Sequence, residues 1–169
     1  MPLRYIYGQD ELVADFVARS KIASGFAKYA GYPKNARAIG IANSDNELIA
    51  GLVYFNFNPE AETIEFSVEA LPRKMLKERW LTPTTLAVMF QYPFLHCGCQ
   101  MLITRTSARA VHVHRMLEAM NFELTVIARA GGRNEDGVIA TLTDDAWLNS
   151  KFCKRYGHDF IGDRVEKAA

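Results

Sequence analysis

The sequence predicts an α/β fold of the α+β kind, a mixed and mostly antiparallel sheet of about seven strands with helices on both faces. Three observations predict it. Between residues 37 and 71 three strand-like runs follow one another through short turns, as in an antiparallel meander. A helical run starting at Thr82 then leads to another apolar strand at residues 99–106, and such a crossover makes the sheet mixed. Finally, 169 residues of which 49% are apolar, without repeat or linker, fit a single domain with one core over residues 1–169.

The elements follow in order. Residues 3–7 read as a short strand, broken at Gly8-Gln9-Asp10, where Asp10 can cap a helix. Leu12, Val13, Phe16 and Val17 recur at helical spacing, followed by Ile22, Ala23, Phe26, Ala27 and Ala30. One long helix or two shorter ones fit, with Ser24-Gly25 as a break and Gly31-Tyr32-Pro33 as the end. Residues 37–42 are a strand, and Asn43-Ser44-Asp45-Asn46 is a turn, since Asn and Asp tolerate left-handed geometry. Residues 48–57 form a long strand that is apolar at both parities, which calls for cover on both faces.

Residues 63–71 alternate apolar Ile64, Phe66, Val68 and Ala70 with polar Thr63, Glu65, Ser67 and Glu69. After the basic loop 72–81, Thr82-Pro83 opens a helix, with Thr as cap and Pro at the first helical position; Pro93 disrupts its end. A strand at 99–106 leads into a helix from Ser107 to Met120, stopped by Asn121. Residues 122–130 and 138–142 form a hairpin around 131–137, and Asp144-Asp145-Ala146-Trp147-Leu148 starts a capped helix. The charged tail from Asp163 frays.

Composition narrows the function classes. A net charge of +1 gives no bulk electrostatic case for nucleic acid or membrane as a partner. No apolar run reaches the roughly 20 residues of a membrane-spanning helix. The amino-terminal residues lack a signal-peptide pattern, and three cysteines, an odd number, fit a reducing cytoplasm.

Four stretches carry chemistry. The loop 72–81 sets Arg73, Lys74, Lys77 and Arg79 against the single acid Glu78, just before a helix start. Free backbone N–H groups and the positive end of a helix dipole favour a phosphate there, although a solvated surface turn has the same composition. Trp80 reads as a core anchor beneath that loop. His112 and His114 stand two apart and cannot share a helical face, so each reads as solvent-facing and no metal pair is expected. His96-Cys97-Gly98-Cys99 offers one ligand cluster without a second, so buried or half-buried thiols are expected, and no metal. The polar residues of 63–71 are either the solvated face of an antiparallel strand or the lining of a cleft; the all-apolar neighbouring strand favours the cleft.

The element order, together with Leu102-Ile103-Thr104-Arg105-Thr106, then Ala110 to Met120, then Asn121-Phe122-Glu123, resembles the GNAT superfamily of acetyl-CoA-dependent N-acetyltransferases. The resemblance covers about residues 3–148. Arg79-Trp80-Leu81-Thr82-Pro83-Thr84-Thr85-Leu86 followed by Phe90-Gln91-Tyr92-Pro93-Phe94 looks like a divergent branch found in bacterial and phage genomes. The chain departs from the family at four places, one of them Asn121-Phe122 where the family has Gly-Phe. No glycine lies between Leu71 and Thr85, where the family's pyrophosphate loop has glycines; Ala110 stands in place of a cofactor-contacting Asn; Leu117 stands in place of the general-acid Tyr.

The resemblance implies acetyl-CoA as co-substrate and an amine as acceptor. It implies a pantetheine arm along Phe66, Ser67 and Val68, added to the strand edge, with an N–H near Val68 polarising the thioester carbonyl. It places the pyrophosphate over residues 81–85 (Leu81, Thr82, Thr84, Thr85), with Lys77 and Arg79 as side-chain partners. Arg105 and Arg109 would meet phosphates or substrate, or remain surface arginines. An attacking amine must lose a proton, and Glu69 and Glu65 are the candidate bases because they share a strand face with Ser67. His114, one turn before Leu117, or water would protonate the leaving thiolate. Phe26, Tyr29, Tyr32 and the hairpin 131–137 are candidates for acceptor specificity, and residues 138–142 for pairing in a homodimer. The competing expectation is a catalytically silent GNAT-like binding or structural protein, for example in a phage particle.

Overall fold

A computed structural model describes residues 3–23 and 31–156. Phe26, Tyr29, the Ser24-Gly25 break and the tail from Asp163 therefore lie outside the described residues. The seven strands are β1 (Arg4–Ile6), β2 (Arg37–Ala42), β3 (Leu48–Asn58), β4 (Thr63–Ala70), β5 (Met101–Ser107), β6 (Glu123–Gly132) and β7 (Glu135–Thr143). They form one sheet in the order β1-β2-β3-β4-β5-β7-β6. β4 and β5 run parallel, while β1–β2, β2–β3, β5–β7 and β6–β7 are antiparallel. The helices are α1 (Asp10–Ala23), α2 (Pro83–Gln91), α3 (Val111–Ala119), α4 (Asp144–Leu148) and α5 (Lys151–Tyr156). The mixed, mostly antiparallel sheet is the expected one. The chain divides into two compact units, residues 1–57 with 66–82 and residues 58–65 with 83–169.

In the first unit α1 packs on the β2–β3 hairpin. Val13 and Val17 are fully buried with Ala36, Ala38 and Val53. Gly51 permits this close approach: a Cβ there would stand 2.6 Å from the Val17 side chain and 2.9 Å from Val13. Leu12, expected on the apolar stripe, instead faces out at 56% exposure. The stripe continues from Val17 to Lys21, one turn later on the same face, and Lys21 is buried. A second cluster joins Ile41, Ile49, Ala50 and Leu76, with Trp80 and Leu71 packed against it, so Trp80 anchors the core as read. β3 is buried from Ile49 to Tyr54 on both faces, as its apolar parity requires, and exposed from Asn56 onward. The 43–46 turn is held by Asn43 Oδ1, which accepts from the N–H groups of Asp45 and Glu47, with Asn46 at φ 63°.

In the second unit α2 starts at Pro83, the position its fixed φ favours. Pro93 forces the continuation into a π turn over Tyr92–His96, in which the Cys97 N–H reaches the Tyr92 carbonyl. Phe90 forms the aromatic centre, 4.2 Å from Trp147 and 6.2 Å from Phe122 between ring centroids. α3 begins at Val111 rather than Ser107, because Ser107 still pairs with Gly137 at the end of β5. Asn121, at φ 70°, ends it, and the Phe122 N–H closes back on the Leu117 carbonyl. The Thr143 hydroxyl caps α4 by accepting from the Ala146 N–H, 3.1 Å away. The β6–β7 hairpin is tighter than expected, with Gly132 paired to Glu135. β7 carries β5 on one side and β6 on the other, so residues 138–142 have no edge left to pair across a dimer; that expectation is corrected.

Candidate active site

β4 is where the candidate residues concentrate. Its parallel ladder with β5 is three residue pairs long, Thr63–Met101, Ile64–Leu102 and Glu65–Ile103, whereas β4 runs on to Ala70 and β5 to Ser107. The polar residues of β4 are not a solvated face: Ser67 is buried, and the Glu65 and Glu69 side chains keep only 16% and 19% of their surface. Phe66 is buried, its ring stacked against Tyr54 with centroids 6.4 Å apart, so what it can offer a ligand is backbone. Val68 is half-buried.

In the first unit, Glu69 lies 3.7 Å from the ammonium of Lys21, whose side chain is 11% exposed. Burial raises the Glu69 carboxyl above the ordinary carboxylate value, and the nearby Lys21 charge pulls it back only in part. Burial likewise lowers Lys21, against the opposing pull of Glu69. A carboxylate so placed holds a proton more readily than a solvated one, as a general base near neutral pH must. Sequence reasoning missed Lys21, although its place four residues after Val17 and eight after Val13 was readable; a lysine on an apolar stripe was the signal.

The basic loop is less free than its composition implies. Lys77 Nζ sits 3.1 Å from Asp45 Oδ2, and this carboxylate raises its pKa. Ser44 donates to Glu78 at 2.8 Å, so the 43–46 turn and the loop are stapled to each other. The Arg73 guanidinium donates to the Leu76 carbonyl at 2.8 Å. Counting Glu78 as the only acid was therefore incomplete, because the fold adds Asp45. Arg79 is exposed, and among the described residues no carboxylate pairs with it. Leu81 and Thr82 are half-buried.

In the second unit, Thr84 is exposed in the first turn of α2, whereas Thr85 is fully buried and has no side-chain surface to offer a phosphate; that expectation is corrected for its side chain. Glu65 is held by Arg105 Nε at 3.2 Å, which gives Arg105 a carboxylate partner of its own. Arg109 is exposed and lies 3.8 Å from Glu135, which also accepts from the Ser107 hydroxyl. His112 is exposed, as expected; His114 is half-buried, its Nε2 2.8 Å from Thr106 Oγ1, and does not simply face solvent. Ala110 stands at the α3 N-cap without a side-chain bond, and Leu117 is buried. Cys99 is buried and Cys97 half-buried, as expected, and burial pushes the Cys99 thiol up to about 12. Among the described residues no helix is long and apolar enough to cross a membrane.

No protein-family model and no curated protein matches the sequence. Solved structures do match the fold. A single-site variant of the spermidine N-acetyltransferase SpeG from Vibrio cholerae superposes with a TM-score of 0.67 at 14% identity, covering 88% of this chain and 98% of that one. Another variant of the same enzyme gives 0.68 at 14% identity, over 88% and 96%. A proposed acetyltransferase from Acinetobacter baylyi ADP1 gives 0.65 at 17% identity, over 85% and 94%. The chain therefore has the GNAT-type N-acetyltransferase fold.

Proposed function

We propose that this protein transfers an acetyl group from acetyl-CoA to an amine, by direct attack within a ternary complex. The observation that carries the reading is Glu69: a half-buried carboxylate of raised proton affinity, on the strand of a GNAT-type fold whose ladder to its parallel neighbour stops four residues earlier. The amine nitrogen bonds to the thioester carbon and the carbon–sulfur bond breaks. The ammonium proton leaves to Glu69, and the thiolate of CoA takes a proton from His114 or from water. A backbone N–H near Val68 stabilises the carbonyl oxygen as it gains charge. Arg79 and Lys77, with the backbone of Leu81 to Thr85, receive the pyrophosphate, and Arg109 is a further cation for phosphate or acceptor.

Arg79 fits this role better than Lys77, since Lys77 must first leave Asp45. Glu65 fits the base role less well than Glu69, because Glu65 lies within the three-pair ladder to β5 whereas Glu69 lies four residues beyond its end. One enzyme of this fold, matched as two variants, is named for spermidine, which supports a small amine as acceptor. Calorimetric titration with acetyl-CoA and with CoA, followed by turnover over an amine panel, tests the proposal. No heat and no thermal shift at millimolar cofactor would remove it.

A second reading, a catalytically silent GNAT-like binding protein, draws on Leu117 and Ala110. One is buried without a hydroxyl and the other caps α3 without a side-chain bond. Cofactor binding without turnover over the panel would favour it.

A further inference from the structure

We propose that Lys21 is the positioning residue of Glu69: its ammonium holds the carboxylate ionised and fixed in place on β4, ready to receive the proton of an acceptor amine. The inference rests on the reading of Glu69 as the base.

Geometry carries it. Lys21 is set by the helix itself, eight residues after Val13 and four after Val17, on the face that α1 presses onto the sheet. Gly51 lets that face approach closely at Val13 and Val17, and Lys21 in the last turn of the helix is buried where surface lysines reach water. The ammonium ends 3.7 Å from Glu69 with both side chains largely enclosed. A buried ammonium gains from a partner of opposite charge, and a buried carboxylate equally so. Lys21 acts on Glu69 by charge, and Glu69 acts on Lys21 in the same way. Without the ammonium, burial alone would drive Glu69 toward its neutral form, which cannot accept a proton.

The pairing also sets what this carboxylate does with a cation. Glu69 already has a counterion supplied by the protein, so it is placed to take a proton from an acceptor and not to anchor its charge.

The test reads Glu69 directly by carbon-13 NMR of labelled glutamate side chains, in wild type, Lys21→Met and Lys21→Arg, and needs no acceptor. Expected is a rise of the Glu69 titration midpoint in Lys21→Met by about one unit, a tenfold change in proton affinity, with most of the shift reversed in Lys21→Arg. Should Lys21→Met fail to fold, Glu69→Gln supplies the reciprocal measurement, in which the Lys21 midpoint falls. An unmoved midpoint in either pair overturns the proposal. In a turnover assay, the acid limb of the pH profile should move with the Glu69 midpoint in Lys21→Met and return in Lys21→Arg. If Glu69→Gln instead retains full turnover while the NMR midpoints shift, the base assignment fails and the electrostatic pairing stands.

Discussion

Glu65 and Glu69 lie four residues apart on the same face of β4, each beside one basic side chain, yet their surroundings differ. Glu65 meets the guanidinium of Arg105, which remains 65% exposed; Glu69 meets the ammonium of Lys21, which is 11% exposed. Water hydrates the Arg105 guanidinium and screens the first pair from that side, so the contact adds less. The second pair has surrendered most of its hydration, and each charge depends on the other. Similar carboxylates on one strand thus acquire different chemistry from the partner's burial, not from the carboxylate's own exposure, which is nearly the same at 16% and 19%.

The sharpest way to break this comparison is turnover. Glu69→Gln should lower acetyl transfer by about 100- to 10,000-fold, the usual contribution of a general base, whereas Glu65→Gln should leave it near wild type. Equal losses would erase the distinction. Stability is the next measure. Lys21→Met strands a carboxylate with little water and should cost about 1–2 kcal/mol near neutral pH in urea denaturation, matching a one-unit rise of Glu69; Arg105→Met should cost about 0–1 kcal/mol.

The pH dependence sharpens it further. The folded-state pKa of Glu69 is raised, so its ionisation weakens the fold; the cost is absent at acid pH and complete above the folded pKa. Lys21 is the converse, its pKa being lowered, so its cost is present below its folded pKa and relieved as pH rises toward the ordinary lysine value. Removing Lys21 raises Glu69 further, and the destabilisation by Lys21→Met should therefore grow from pH 4 to pH 8 in denaturant titrations. The smallest effect expected is that of salt. Raising ionic strength from 0.1 to 1 M shortens the screening length from about 10 to about 3 Å, which should abolish whatever Arg105→Met costs and leave the cost of Lys21→Met nearly intact.

Much of the fold was legible because its signals are local. The alternation of residues 63–71, Pro83 at a helix start, Pro93 at its disruption and Asn121 as a left-handed stop each act through neighbouring backbone. The apolar parity of β3 predicted its two-sided burial because a strand has only two faces. Boundaries were less legible: Ser107 was read as helical, but a partner thirty residues away, Gly137, keeps it in β5.

The candidate site was legible by residue type and obscure in its pairings. Glu69 was identifiable as an acid on a half-apolar strand, but Lys21 lies 48 residues before it and joins it only through the packing of α1. Lys77 and Arg79 looked equivalent in the loop; the 43–46 turn separates them by supplying Asp45 to one alone. Thr85 looked like Thr84 until the rotation of α2 placed one in the core and the other at the surface.

By itself the sequence determined the elements, their order and the chemical groups on β4, since periodicity, turn residues and proline geometry work within a few residues of chain. Tertiary structure alone decided which of those groups are deprived of water and which charge each one faces. Hydration and Coulomb interaction depend on distances through space, and a spacing of 48 residues carries no such distance until α1 is seated on the glycine of β3.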